Sequence, residues 1–284
     1  MKTIGILSKP TFPDVTRILR ELVTWLREHG KEVAVDGKAA ALLGEPAVYT
    51  NAQIASLSDL LLVLGGDGTM LNAARLVEER QVPILGVNMG GLGFLTEATI
   101  EHLFPTLEKV FANDYLLEER LMLRAHIDRH GEHVASPTVL NDVVVSKGTL
   151  ARMVEIQILI DGQFVTNLRG DGLIISTPTG STAYSLSAGG PVVNPIVEGL
   201  ILTPICPHTL SHRPLVVESK SVIEVILTSH EEGAMATFDG QIGVSLSHGD
   251  RIAVRTSDHR AKLVRFPDRT YYEVLRKKLN WGLE

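Results

Sequence analysis

Cysteine is nearly absent from this chain of 284 residues, and its single example, Cys206, cannot form an internal disulfide. A lone thiol fits a reducing compartment. No apolar run approaches the length that crosses a bilayer, and a strand-like segment begins a few residues after Met1, which leaves no room for a signal peptide. We therefore expect a soluble cytoplasmic protein without a membrane partner.

The chain also has fewer basic than acidic residues. The 27 Lys and Arg residues stand against 33 Asp and Glu, which gives a formal net charge of −6. A chain this acidic is not expected to bind nucleic acid as its main activity. Charged residues make up only 21% and apolar residues 44%, which excludes a disordered chain and supplies a core for one large domain or two smaller ones.

The first third of the chain alternates between strand-like and helix-like segments. Residues 60–64 and 82–87 are continuous apolar runs, which are typical of strands covered on both faces. Helices are expected after Asp14, which should cap the first turn, and over residues 100–111, which Pro105 should split or kink. A further helical stretch covers residues 70–79. Strands that alternate with helices indicate parallel pairing in a doubly wound sheet.

After about residue 118 the pattern changes to short strands separated by turn residues. Several alternate apolar with polar positions, as residues 154–158 do, and few helical periods intervene before a helix at 271–279. We expect an α/β domain over residues 1–118 and a β-sandwich over residues 119–265. The expected strands are residues 121–128, 139–146, 154–161, 173–177, 222–228 and 252–256.

The strongest chemical signal is a glycine-rich loop, Gly65-Gly66-Asp67-Gly68-Thr69, between an apolar strand and a helix. Glycines there let the backbone approach a polyphosphate, and the free amides of a helix start favour anions. The plainer interpretation is a tight turn with Asp67 as the N-cap. An acidic side chain in an anion-binding loop makes sense if it accepts a proton or helps to hold Mg²⁺. The loop lacks the lysine of a Walker-A motif, which excludes an ordinary P-loop enzyme.

A second glycine cluster, residues 88–95, follows the next apolar strand and should lie beside the first loop. It is either a flexible connection with Phe94 in the core, or a second wall of the same cleft with Phe94 available to stack on a base.

Two further polar features occur in the β region. Residues 176–191 are rich in Ser, Thr and Gly, which suits hydrogen bonds to a sugar, amide or phosphate ligand, although capped turns have the same composition.

Asn141 and Asp142 interrupt an apolar strand, and because adjacent side chains point to opposite faces, one of them should be buried. The pair therefore marks either a bulge or edge position, or a pair of ligand contacts. Asp239-Gly240 is a hairpin-turn signal.

Taken together and in this order, the motifs resemble those of the NAD kinase family over nearly the whole chain. Gly-Gly-Asp-Gly-Thr alone also resembles lipid kinases and phosphofructokinase-like enzymes, whereas the hydroxyl-rich segment with Asn141-Asp142 is more specific. The resemblance implies a Rossmann-like N-terminal domain, a C-terminal β-sandwich, and a tail (residues 266–284) that returns to the first domain. It also implies a homotetramer or homodimer.

The implied reaction is transfer of the γ-phosphoryl group of ATP, accompanied by a divalent cation such as Mg²⁺, to the 2′-hydroxyl of the adenosine ribose of NAD. By similarity Asp67 is the proton acceptor, although a metal-holding role stays open. The implied phosphate loop is Gly65, Gly66, Gly68 and Thr69. The implied NAD contacts are Asp67, Gly68, Leu71, Phe94, Asn141, Asp142, Arg152, Arg169, Asp171, Thr182, Ala183, Tyr184, Ser185, Leu186, Ser187 and Gln241.

Two other functions remain open on the sequence alone. A lipid or sugar kinase could share the Asp67 loop, but it would leave residues 177–191 unexplained. A dinucleotide-sensing module without turnover could share the binding residues, but the presence of Asp67 argues against it.

Overall fold

The computed structural model describes residues 1–9, 12, 14–91, 93–148, 153–230, 233–267 and 269–282. Internal contacts divide the chain into two compact units. Unit 1 comprises residues 1–119 and 260–284, and unit 2 comprises residues 120–259. Among the described residues, no helix is both long and apolar enough to cross a membrane.

The elements follow one another in three stretches. The first contains β1 (Thr3–Ser8), α1 (Val15–Glu28), β2 (Glu32–Val35), α2 (Gly37–Leu43), α3 (Asn51–Leu57), β3 (Leu60–Leu64), α4 (Asp67–Leu76), β4 (Ile84–Asn88), β5 (Ala98–Thr99), α5 (Leu103–Phe111) and β6 (Leu116–Arg120). The second contains β7 (Leu123–Arg129), β8 (Glu132–Ala135), β9 (Thr138–Val139), β10 (Asp142–Lys147), β11 (Val154–Ile160), β12 (Gln163–Gly170), β13 (Gly172–Ser176), α6 (Tyr184–Ser187), β14 (Gly199–Ile205), β15 (Leu215–Glu218), β16 (Ile223–Leu227), β17 (Ala234–Phe238), β18 (Ile242–Ser245) and β19 (Arg251–Thr256). The last contains β20 (Ala261–Arg265) and α7 (Tyr271–Leu279). Two 3₁₀ turns span Ile100–His102 and Thr179–Thr182.

Unit 1 is a mostly parallel sheet with the strand order β2-β1-β3-β4-β20-β6, and β5 adds to β4. Strand β3 pairs in parallel with β1 on one side and with β4 on the other. All five residues of β3 are buried, as its continuous apolar run predicts. The register sets Ser8 beside Leu64 and Leu64 beside Val87, so β1, β3 and β4 end at the same edge. The predicted doubly wound fold is confirmed, and both glycine loops leave from this edge.

The helix predictions for unit 1 need two corrections, and a third prediction is confirmed. Asp14 does not cap α1 through its side chain; its φ of 61° is left-handed, whereas a capping side chain reaches the first-turn amides from extended backbone. Helix α4 starts at Asp67, three residues before the predicted start. The segment 100–111 is split, as predicted, into a 3₁₀ turn and α5, and Pro105 lies in the first turn of α5, where no amide donor is needed.

Unit 2 pairs its described strands into two antiparallel sheets, ordered β15-β14-β13-β10-β17-β18 and β12-β11-β16-β19-β7-β8, with β9 added to β7. Alternate residues of the two sheets share one buried cluster, which includes Val143 and Ile175 from the first sheet and Ile156 and Val254 from the second. The predicted β-sandwich is confirmed. The expected strand over residues 139–146 is in fact broken at Leu140 and Asn141, between β9 and β10.

Candidate active site

The carboxylate of Asp67 is held by the backbone of the second glycine loop. The amide of Phe94 donates to Oδ2 and the amide of Leu95 donates to Oδ1, each at 3.0 Å. Asp67 is the first residue of α4, whose N-cap position is occupied by Gly66, so the plainer interpretation of Asp67 as the N-cap is wrong. Each oxygen has accepted one bond, and a carboxylate offers about four acceptor positions in all. Asp67 is therefore oriented but still able to accept a proton or bind a cation.

Gly93 leaves the space that this carboxylate occupies. A Cβ atom on Gly93 would overlap Oδ1 of Asp67 and lie 2.7 Å from its Cγ. Sequence reasoning included Gly93 only as part of a glycine cluster and did not connect it with Asp67. The glycine cluster was visible in the sequence, but no local pattern links Gly93 to Asp67 because the two residues are 26 positions apart in the chain.

The loop that carries these amides is fastened at both ends. Nδ2 of Asn88 donates to the carbonyl of Gly91 at 2.8 Å, and the amide of Gly90 donates to Oδ1 of Asn88 at 3.0 Å. The amide of Gly93 donates to Oγ1 of Thr96 at 2.8 Å. Phe94 is half-buried. These bonds hold the described residues of the loop to Asn88 and Thr96, and the stacking of Phe94 on a base stays a prediction.

The end of β20 and the residues that follow it contact the same loop. Arg265 donates from Nη1 to Glu97 at 2.7 Å, from Nε to Glu118 at 3.1 Å, and from Nη2 to the carbonyl of Phe94 at 3.2 Å. Nη1 of Arg269 donates to the carbonyls of Thr96 and Glu97. The Arg265 and Glu97 side chains are only 14% and 4% exposed. The sequence analysis missed these residues because nothing local marks a long-range ion pair.

The remaining predicted residues of unit 1 lie on or beside the two loops. Gly68 is exposed and Thr69 is half-buried, whereas Leu71 is buried on α4. A Cβ atom on Gly65 would lie 2.6 Å from Oγ1 of Thr69, which explains the glycine at the end of β3. Gly66 has open space around it. The four residues of the predicted phosphate loop therefore lie together at one edge of the sheet.

In unit 2, Asp142 is the buried member of the predicted polar pair. It is 4% exposed, and Asn141 is half-buried. Burial of the Asp142 carboxyl, reinforced by the neighbouring Asp239 carboxylate, raises its pKa to about 7. The expectation that one residue of the pair lies on the buried side is confirmed. The carboxyl group thus changes its charge close to neutral pH.

The hydroxyl-rich segment packs directly on Asn141. A Cβ atom on Gly180 would lie 2.6 Å from the carbonyl carbon of Asn141, and the amide of Thr177 donates to the Asn141 carbonyl at 2.8 Å. Oγ1 of Thr177 donates to the carbonyl of Leu140 at 2.6 Å. These contacts hold the segment against the Asn141-Asp142 pair within unit 2.

Many hydroxyls of the segment are bonded inside the protein. Ser181 donates to the carbonyl of Pro178 at 2.6 Å, Thr182 donates to the carbonyl of Thr179 at 3.3 Å, and Ser185 shares a bond of 2.8 Å with Thr203. Tyr184 and Ser187 are exposed, and Thr182, Ala183 and Leu186 are half-buried. Most of these hydroxyl groups therefore stabilise the turn itself, whereas the side chains of Tyr184 and Ser187 face solvent.

The other predicted NAD contacts of unit 2 that the structure describes lie in ion pairs or in a hairpin turn. Arg169 is exposed and pairs with Glu155 at 3.4 Å across β11 and β12, whereas Asp171 pairs with Lys147 at 2.9 Å. Gln241 is exposed and closes the turn between β17 and β18 through a bond of 3.0 Å from its amide to the Phe238 carbonyl, which confirms the predicted hairpin. Arg152 lies outside the described residues. Within the described residues, no cluster of three or more His, Cys, Asp or Glu could hold a metal ion.

Comparison with known proteins decides the family. A model of the ATP-NAD kinase N-terminal domain matches residues 4–115, and a model of the ATP-NAD kinase C-terminal domain matches residues 140–266. The chain belongs to the NAD kinase family. It is 48% identical over 282 residues to an NAD kinase of Geobacter sulfurreducens and, equally, to one of Geobacter metallireducens, with 99% of each chain covered. The predicted family and its kinase activity are confirmed.

Solved structures of NAD kinases and NADH kinases share the fold. Yeast NADH kinase complexed with NADH has a TM-score of 0.91 and 29% identity, covering 100% of this chain and 89% of the other. An NAD kinase from Archaeoglobus fulgidus in complex with ATP has a TM-score of 0.76 and 30% identity, covering 99% of both chains. The two complexes hold a dinucleotide and ATP respectively, which are the two ligand classes that the motifs of the chain predict.

Proposed function

We propose that this NAD kinase transfers the γ-phosphoryl group of ATP to the 2′-hydroxyl of the adenosine ribose of NAD, and that Asp67 accepts the hydroxyl proton. The observation that carries the proposal is the Asp67 carboxylate, which two backbone amides fix at the start of α4. A ribose hydroxyl is a weak nucleophile, and a carboxylate within hydrogen-bond reach acts as a general base. Phosphoryl transfer otherwise needs positioning and charge neutralisation.

The glycine loop would bind the phosphates of ATP through backbone amides at the start of α4. Mg²⁺, entering with ATP, would neutralise charge on the transferred group, and carboxylate oxygen such as that of Asp67 is the donor type that Mg²⁺ prefers. Asp142, when ionised, would accept hydrogen bonds from ribose hydroxyls, and Asn141 would bind beside it. Cytoplasmic location and assembly into homodimers or homotetramers belong to the same proposal, and light scattering of the purified protein measures the assembly.

The decisive assay is formation of NADP from NAD, ATP and Mg²⁺ by the purified protein, with NADH as a parallel substrate. The Asp67→Asn variant should lower kcat by at least ~10²-fold, because acid–base groups typically contribute that much. Asp14→Asn is the matched control: it removes the same charge in unit 1 at an exposed side chain that makes no capping bond. Phosphorylation of a lipid or of fructose 6-phosphate in place of NAD, or a near-normal kcat of Asp67→Asn, would contradict the proposal.

A further inference from the structure

The turn residue Asp239 is buried and binds the backbone of a neighbouring segment. It is 8% exposed and has a φ of 51°, in the left-handed region. Its Oδ1 accepts the amides of Asn141 at 2.8 Å and Asp142 at 3.3 Å, and its Oδ2 accepts the amide of Leu140 at 3.2 Å. Its own amide donates to the carbonyl of Asp142 at 3.0 Å. One carboxylate therefore binds three consecutive amides.

These amides lie where the predicted strand 139–146 breaks. Strand β10 begins at Asp142 and pairs with β17, with Val143 opposite Phe238, so the next residue of the turn, Asp239, faces the break. An unpaired buried amide is costly, and charge-assisted bonds to a carboxylate are about twice as strong as neutral ones. Asp239 therefore fixes the backbone from which the Asn141 and Asp142 side chains project.

The same carboxylate is also an electrostatic neighbour of Asp142. Strands β13 and β17 flank β10, and they place Ser176 opposite Asp142 and Asp239 just beyond the end of β17. Among the described residues, Asp239 is the one charged group that perturbs the Asp142 carboxyl, and it reinforces the effect of burial. A like charge at short range disfavours ionisation of the Asp142 carboxyl.

We propose that Asp239 is a positioning residue for dinucleotide binding, which clamps the Leu140–Asp142 backbone and sets a second carboxylate beside the Asp142 carboxyl. This proposal rests on the proposed function, in which ionised Asp142 accepts hydrogen bonds from ribose hydroxyls. Below pH 7 the protonated Asp142 loses acceptor capacity, so NAD affinity should rise as the pH passes through about 7. Removing the charge of Asp239 removes the repulsion, so Asp142 should ionise at a lower pH.

The test is the affinity for NAD measured by calorimetry, together with the KM for NAD, between pH 5.5 and 8.5. Asp239→Asn should move the midpoint of the rise in affinity to lower pH by about half a unit or more. It should also weaken the best affinity by roughly tenfold because it disrupts the backbone clamp, while the KM for ATP stays unchanged. A purely structural role would weaken binding without moving the midpoint. An unmoved midpoint in folded Asp239→Asn overturns the proposal.

Two further variants keep the test decisive. Asp239→Glu retains the charge but is longer by one methylene, so it should raise the KM for NAD and leave the midpoint in place; an unchanged KM overturns the clamp even if Asp239→Asn fails to fold. Asp161→Asn is the matched control, since Asp161 has the same φ of 51° in the hairpin turn between β11 and β12. If the unmodified enzyme forms no NADP, the proposed function fails; if it forms NADP and NAD affinity is flat across pH 7, only the inference fails.

Discussion

At the scale of single residues, the carboxylate of Asp67, which we propose as the proton acceptor, is held by amides that lie far from it along the chain. Asp67 stands out in its motif because an acidic side chain is unusual in a glycine-rich loop of the type that binds phosphates. Its bonds come from Phe94 and Leu95, 27 and 28 residues later, and no local pattern encodes such a distance. For the same reason Asp239 was recognisable as a turn residue but not as the acceptor of three amides.

Gly93 gives the sharpest prediction at this scale. Gly93→Ala should lower kcat by about tenfold or more, because its methyl group would push the Asp67 carboxylate from its position and misplaced catalytic groups lose rate steeply. Overpacking of this kind should also cost about 1–3 kcal/mol of unfolding free energy. Gly91→Ala is the control, since a Cβ atom there has open space around it. Steady-state kinetics and urea unfolding test the prediction, and equal kcat values for the two variants would refute it.

At the scale of elements, strands with one strong pattern were predicted well and irregular segments were not. The buried run of β3 and the helix α7 have the predicted bounds, 60–64 and 271–279. The short α6 and the 3₁₀ turn before it went unpredicted because their hydroxyl-rich composition suits turns, caps and ligand sites alike. The break before β10 is bound by Asp239, which is a tertiary contact, and Asp14 has left-handed backbone in place of a capping conformation.

The last residue of β20, Arg265, supplies the prediction for this scale. Arg265→Ala should cost about 3–5 kcal/mol of unfolding free energy, because it leaves the buried Glu97 carboxylate without its main partner. It should also reduce kcat, since Arg265 binds the carbonyl of Phe94 beside the amide that orients Asp67. Arg255→Ala is the control: its pair with Asp258 is exposed, and such pairs contribute about 0–1 kcal/mol. Equal losses in the two variants, measured by urea unfolding, would show that the buried pair is dispensable.

At the scale of the whole molecule, the class of fold followed from the change of period near residue 118. Alternating strands and helices predict a parallel sheet, and closely spaced strands predict a sandwich. The return of the chain to unit 1 through β20 has no such signal, because five residues of strand pattern, 261–265, do not tell which sheet they join. The resemblance to a family implied a return only for residues 266–284 and placed residues 261–265 in the β-sandwich, whereas β20 joins the sheet of unit 1.

The net charge of −6 leads to the last prediction. Such a chain repels the polyphosphate ligands NAD and ATP at long range, so attraction must come from loop amides, Mg²⁺ and nearby cations acting at short range. Raising the ionic strength from about 0.01 M to 0.1 M shortens the Debye length from about 30 Å to about 10 Å, which screens the repulsion and spares the contacts. The KM for NAD should therefore fall or stay within about twofold at constant free Mg²⁺, in chloride and acetate salts alike. A KM that rises roughly tenfold over this range would instead show that a long-range attractive field concentrates the ligand, because only such a field is lost on screening.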